Sequence, residues 1–203
     1  MFGSDHDPIA GVSAVSSSPA RKISPAEYLE AERAAETKSE YYAGQVFAMT
    51  GASLAHNWIV ASLIRVLGRQ LEGTRCGVLP SDMRLHIVAT GLYTYPDVTI
   101  VCGAPELGDE HRDTLLNPTV LIEVLSPSTE SYDRGHKAEH YRQIPSLQEY
   151  LIVRQDAPRI ERYRRLGERE WTLTEAIGLE ESVQLASVPC SLALGEVYDR
   201  ALG

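Results

Sequence analysis

Lysine is scarce in this sequence: among 203 residues there are only Lys22, Lys38 and Lys137. Any chemistry that needs an ammonium group has three candidates. Long apolar runs are missing too, and none approaches the roughly 20 residues that cross a bilayer, so no helical membrane span is expected. The amino-terminal residues lack the basic-then-apolar pattern of a secretory signal. Cysteine is limited to Cys76, Cys102 and Cys190, with no CxxC pair. The expectation is three reduced, small hydrophobic side chains in a cytoplasmic protein. No zinc-finger spacing, helix-turn-helix pattern or RNA-binding aromatic signature is present. Ser126 and Ser128 lack the G-x-S-x-G surroundings of a hydrolase nucleophile. The His136/His140 pair lacks the glutamate of a zinc-protease helix.

What remains is ordinary globular composition, 43% hydrophobic and 23% charged, at a length suited to one domain. The net charge of −9 argues against indiscriminate adhesion to nucleic acid, which draws on Lys and Arg. Positive charge is concentrated late, at Arg154, Arg159, Arg162, Arg164 and Arg165. That cluster is either a solvated strand face or a local basic surface.

Residues 1–22 are rich in Ser, Ala, Gly and Asp with little apolar periodicity, and a disordered tail is expected there. Ordered structure, residues 23–203, begins with a capping box at Ser24 and Glu27, Pro25 occupying the first helical position. That helix runs to about Glu36. Residues 39–49 read as a hairpin turning at Ala43-Gly44, and residues 54–71 as an amphipathic helix. Strands are expected at 77–88, 95–102 and 119–125, a helix at 131–143, and strands at 149–155, 159–166, 171–174 and 182–188. A short helix near 194–201 closes the chain. Helices flanking a run of strands predict an α/β sandwich around one mixed sheet.

Within the strands two carboxylates stand among apolar neighbours: Asp97 in YPDVTIV and Glu123 in TVLIEVLSPST. Singly, Asp97 could close a turn after Pro96 and Glu123 could sit in a structural ion pair. Together they repel unless a proton or cation lies between them. A hard divalent cation with oxygen ligands suits such a pair, and Mg²⁺ typically takes one or two carboxylates. Side chains two apart on a strand share a face, so the partner of Glu123 on its own strand is Leu125, which is apolar. The nearest lysine is Lys137, on the following helix. Asp133, Lys137 and Tyr141 lie along one side of it at i, i+4, i+8 spacing. Lys137 either reaches back over the strand end to Glu123 or pairs at the surface with Asp133.

The string YPD at 95–97, IEVLSPST and D-R-G-x-K-A-E-x-Y at 133–141 resembles the PD-(D/E)XK nuclease superfamily. The likeness is to a branch of small bacterial restriction-endonuclease-like proteins, and it extends to the SPAEYLE start, GAS-x-x-HN at 51–57, SDMRL at 81–85 and EYLIV at 149–153. The resemblance implies a restriction-endonuclease-like core, a mixed central sheet flanked by helices in a single domain. It also implies a Mg²⁺-dependent site, with Mn²⁺ as a substitute, that hydrolyses DNA phosphodiester bonds. Asp97 and Glu123 would bind the metal and the carbonyl of Val124 would add a ligand. Lys137 would replace the lysine usually carried at the position of Leu125. Supporting candidates are Glu40, His56, Asn57 and Asp82, with Tyr141 orienting Lys137 or a carboxylate. For Glu40 the plain alternative is an exposed side chain at a strand start, and for His56 a cap or packing group. A homodimer is expected because cutting both strands calls for two sites. The competing reading is a degenerate nuclease-fold protein that binds nucleic acid or protein without cutting; another phosphodiester, such as RNA, is also open.

Overall fold

The computed structural model describes residues 21–126 and 130–202. The tail expected over 1–22 therefore lies outside the described residues except for Arg21 and Lys22, as do Pro127, Ser128 and Thr129 of the SPST turn. Ser24 caps helix α1 (Pro25–Ala34), its side chain accepting from the Glu27 N–H while the Glu27 carboxylate takes the Ser24 N–H. The helix ends at Ala34, two residues short of the expected end. Strands β1 (Ser39–Tyr42) and β2 (Gln45–Ala48) form the expected hairpin. Its turn holds both Ala43 (φ 50) and Gly44 (φ 87) in the left-handed region, the geometry that matches strand twist. Helix α2 (Leu54–Leu71), capped by Ser53, spans the predicted residues and buries Ile59, Leu63, Val66 and Leu67.

Residues 77–88 do not form one strand. Ser81-Asp82-Met83 breaks them into β3 (Cys76–Pro80) and β4 (Arg84–Ile87), which join different sheets. Strand β5 (Leu92–Thr94), absent from the sequence reading, hairpins back onto β4. Strand β6 covers Val98–Cys102 and begins only after Asp97, because Pro96 has no N–H to give a ladder. The short β7 (Thr114–Leu115) pairs with β4. The strand β8 (Val120–Leu125) is buried along its whole length. After it come α3 (Glu130–Tyr132), a π-helical turn (Asp133–Lys137) and α4 (Ala138–Tyr141). Then follow β9 (Glu149–Arg154), β10 (Arg159–Arg165), β11 (Trp171–Ile177), β12 (Ser182–Gln184), β13 (Ser191–Ala193) and α5 (Leu194–Val197).

The expected single sheet is divided. A mixed six-stranded sheet runs β11-β10-β9-β8-β6-β3, with β8 and β9 parallel. A five-stranded sheet runs β2-β1-β5-β4-β7, and β12-β13 make a ribbon. Strand alternation sorts β8 between two cores. Val120, Ile122 and Val124 pack with α2 and the carboxyl-terminal segment, whereas Leu121 and Leu125 pack with Leu85, Leu92, Ala138 and Tyr141. Glu123 shares the face of Leu121 and Leu125, beneath the helical run that carries Lys137.

The cysteines differ from expectation. Cys76 and Cys102 are cross-strand partners on β3 and β6 and form a disulfide, and Cys190 is free and buried. Spacing of 26 residues hid a pairing that the antiparallel register creates. Four of the five clustered arginines are taken up by the fold, and Arg164 is exposed. Arg154 bonds Asp156, Arg159 bonds Glu175, and Arg162 bonds the Gln184 carbonyl. Arg165 donates to the carbonyls of Leu147, Arg142 and Ile144.

Candidate active site

Glu123 sits in the middle of the six-stranded sheet, where β8 pairs with β6 antiparallel through Val98↔Ile122. One step further along this register brings Asp97 opposite Glu123. The chain has bent at Asp97, and its side chain takes over a ladder bond: Oδ2 accepts the Val124 N–H at 2.8 Å. The same oxygen lies 3.2 Å from His56 Nε2, on the first turn of α2. Glu123 Oε1 accepts from the Tyr141 hydroxyl at 2.6 Å and lies 3.0 Å from Lys137 Nζ. Lys137 Nζ is also 3.2 Å from Glu40 Oε1 and 3.5 Å from Asp133 Oδ1. The Thr94 hydroxyl donates to Glu40 at 2.5 Å. Lys137 thus comes down onto Glu123 from the helix above. Its contact with Asp133, the surface pair considered from sequence, is the longest of the three.

Glu40, His56, Asp97, Glu123, Asp133 and Lys137 line one cavity of about 200 Å³, with Tyr95, Tyr132 and Ser126 completing its polar wall. It gathers four carboxylates, Glu40, Asp97, Glu123 and Asp133, against one ammonium and one imidazole. The exposures of Glu123 (4%), Asp133 (3%), Lys137 (5%) and Glu40 (8%) show that little of this charge is shared with water. Burial pushes the Glu123 carboxyl well above the usual range even beside Lys137, and Asp133 and Asp97 add to the rise. Burial opposes the charged form of Lys137, but Glu123, Tyr141, Glu40 and Asp133 together outweigh it and hold the amine well above its ordinary range. His56 likewise loses to burial, and Asp97, with help from Val124 and Asp133, outweighs that loss, so its imidazole is held above the ordinary value.

Buried carboxylates elsewhere are satisfied differently. Glu149 is fully buried, yet its oxygens accept from the backbone N–H groups of Ala186 and Ser187. Glu32 accepts from Ser39 N–H and the Tyr95 hydroxyl. Burial alone does not mark a site; a buried surplus of negative charge facing a cavity does. Such a surplus, made of hard oxygen donors, fits a divalent cation such as Mg²⁺. Among the described residues no group of three or more His, Cys, Asp and Glu side chains converges at metal-ligand spacing, but Mg²⁺ needs only one or two carboxylates and keeps waters for the rest.

The sequence matches the Uma2 family, described as "Putative restriction endonuclease", over residues 25–195. The chain belongs to the Uma2 family. Uma2 members fall within the restriction-endonuclease-like PD-(D/E)XK superfamily that the YPD, IEV and D-R-G-x-K strings resemble. Two relatives from Synechocystis sp. carry the names "Uncharacterized protein sll1609" and "Uncharacterized protein slr1290". They are 37% identical over 81% of this chain and 93% of theirs, and 35% identical over 90% and 94%. The fold is similar to that of a crystal structure from Anabaena variabilis named as a "putative nuclease belonging to DUF820". The TM-score is 0.67 at 16% identity, over 83% of this chain and 93% of that one.

In this Uma2 chain the residues singled out from sequence divide into two groups. Asp97, Glu123, Val124, Lys137, Glu40 and His56 line one cavity, and Tyr141 bonds Glu123 from beneath. Glu40 is not an exposed strand-start residue, because β1 turns it inward under Lys137. Asn57 and Asp82 stand apart. The Asn57 amide donates to the Ser53 carbonyl within its own helix turn, and Asp82, largely exposed, pairs with Lys38. Asp82 was expected beside the site because 77–88 was read as one strand; the break at Ser81 turns it outward. Asp133 and Thr94 were not foreseen as site residues. The i, i+4 spacing to Lys137 carried a signal for Asp133. Thr94 lies on the unpredicted β5 and carried none.

Proposed function

We propose that the chain is a Mg²⁺-dependent endonuclease that hydrolyses DNA phosphodiester bonds, with Mn²⁺ as a substitute cation. The observation that supports this most is the Lys137 ammonium on Glu123, in the cavity that Asp97 and its surplus carboxylates line. Asp97, Glu123 and the carbonyl of Val124 would hold the cation. When bound, Mg²⁺ would polarise the phosphoryl group and acidify a water. Lys137, held charged, would lie against the negative charge that grows on the phosphoryl oxygens. Tyr141 would fix the Glu123 carboxylate, and His56 would fix Asp97. Glu40 and Asp133 would position the amine of Lys137, which they share with Glu123.

Residues 23–203 would act as one nuclease domain, in the cytoplasm and as a homodimer that presents two sites to the two strands. No helix of the described residues is long and apolar enough to cross a membrane. A reducing compartment would leave Cys76 and Cys102 as facing thiols. The experiment is cleavage of plasmid and oligonucleotide DNA by purified protein with Mg²⁺ or Mn²⁺, with Glu123→Ala as the control. Cutting that persists unchanged in Glu123→Ala defeats the proposal.

A second reading, a nuclease fold that binds without cutting, is favoured by one observation: no three metal-type side chains converge among the described residues. Calorimetric titration with Mn²⁺ separates the two, since a degenerate site takes up no cation.

A further inference from the structure

A second cavity, of about 790 Å³, adjoins the candidate active site and shares Glu40, Phe47 and Tyr132 with it. Its character is different. Rings dominate its lining: Tyr42, Phe47, Tyr132, His136 and His140. Tyr42 and Phe47 are exposed at 39% and 47%, on the hairpin that forms one wall. The rings of Tyr42 and His140 meet edge to face, centroids 4.7 Å apart, an arrangement that leaves at least one flat ring surface uncovered. No Lys or Arg lines the cavity, and Glu40 and Glu139 do, so a phosphate is repelled there and a neutral planar group is not. Two polar atoms of its lining, His140 Nδ1 and Thr90 Oγ1, are buried without a hydrogen-bond partner. Such orphans are uncommon in a folded protein. Both atoms are covered by protein and lie behind the cavity wall, and what the cavity offers a ligand is its rings.

Resting on the nuclease reading, we infer that this cavity receives an unpaired nucleobase next to the scissile phosphate. The base would stack on Tyr42 and its neighbouring rings, and its polar edge would face Gln143 and Glu139, which also line the cavity. The favoured substrate is then single-stranded, or duplex with a base swung out, because a stacked and paired base exposes no face to such a ring. The scarcity of lysine and the net charge of −9 agree with this. A duplex tracker depends on many phosphate contacts, whereas a stacking site draws its affinity from the base.

The test uses the full chain and a short single-stranded oligonucleotide carrying a fluorescent adenine analogue. Uncharged, uncleavable methylphosphonate linkages flank the analogue, so that binding reports the base. Quenching on binding is expected, and replacing the analogue's base by an abasic sugar should weaken binding. Tyr42→Ala should weaken it roughly 5- to 150-fold, the worth of one base–ring stack. His140→Phe should keep the ring against Tyr42 and bind close to wild type, whereas His140→Ala removes that ring and should bind more weakly. The same sequence as a duplex should bind less tightly. Equal binding of intact and abasic oligonucleotides, or no change in Tyr42→Ala, overturns the inference. The two readings fail separately. Tyr42-dependent quenching without any DNA cutting leaves the base site and removes the nuclease. Cutting that is indifferent to an abasic sugar leaves the nuclease and removes the base site.

Discussion

Replacing Lys137 by Met keeps the length and volume of the side chain and removes its charge. In metal-free buffer the change leaves Glu123, Glu40 and Asp133 without the cation that lies 3.0, 3.2 and 3.5 Å away. All three carboxylates are more than nine-tenths buried. Removing one partner of a buried charge pair costs about 3–5 kcal/mol, and a three-way partner belongs at the upper end of that range. The cost depends on pH with a definite sign. Glu123 is already pushed above its unfolded value by burial, so its folded form prefers the proton. Stability attached to such a group is complete below the unfolded value near ~4.3 and is lost as pH rises through the folded one, at up to about 1.4 kcal/mol per unit. Metal-free wild type should weaken over that window, and Lys137→Met should weaken more steeply. Chemical denaturation from pH 5 to pH 8 under chelator would show the variant close to wild type at the acid end and several kcal/mol below it at the alkaline end. Added Mg²⁺ should recover part of the loss in both. Equal stability at pH 8, or parallel pH profiles, would refute the claim that Lys137 is the counter-charge of a buried acidic cluster.

Tyr141→Phe removes the 2.6 Å bond to Glu123 and should cost about 0.5–1.5 kcal/mol where Glu123 holds its proton and about 1.5–3 kcal/mol once it ionises; urea titrations at acid and alkaline pH measure it. Arg33 holds the Asp113 carboxyl well below its usual range through bonds of 2.8 and 3.0 Å. That stability is present above about pH 4 and is lost only as pH falls through the depressed value. Arg33→Ala should therefore be less stable than wild type at pH 7, and urea titrations at falling pH should show the difference shrinking as Asp113 takes up its proton. Opening the Cys76–Cys102 disulfide, with its separation of 26 residues, should cost about 3–4 kcal/mol on the loop-entropy scale. Thermal melts with and without a thiol reductant read this directly, and a Cys102→Ser variant should be insensitive to the reductant.

The parts of the fold legible in the sequence were those with a local cause. The Ser24–Glu27 capping box and the apolar spacing of residues 54–71 set helix starts that the structure reproduces. The turn at Ala43-Gly44 follows from the left-handed backbone that the hairpin requires. Non-local arrangement was not legible. Residues 77–88 read as one strand, but a turn closed by the Met83 N–H on the Pro80 carbonyl breaks them, and pairing with β5 and β7 holds the second half in another sheet. The disulfide follows from the register of β3 against β6, which no spacing rule supplies. In the site, Glu123 was visible because a carboxylate interrupts an apolar strand. Glu40 was ambiguous because its burial depends on β5 and Lys137 arriving from elsewhere.

The position of the cavity's one ammonium on the helix, and not on the strand of Glu123, has a structural cause. Leu125 shares the Glu123 face and is buried against Ala138, Tyr141 and Leu121, which form the floor under the helical run. A lysine there would replace that packing with a buried charge. Moving the amine to the helix lets Leu125 seal the floor while Lys137 enters from above. The π-helical turn Asp133–Lys137 is where the helix departs from regular winding, and such insertions are frequent at functional sites. Gly135 sits in its middle with no neighbour within 4 Å of where a Cβ would be, so packing does not fix the glycine there. What fixes the turn is its two ends: Asp133, whose carbonyl accepts the Tyr150 hydroxyl at 3.1 Å, and Lys137, held by Glu123. The irregular turn and the apolar Leu125 are two parts of one solution, in which the helix brings the charge that the strand face cannot hold.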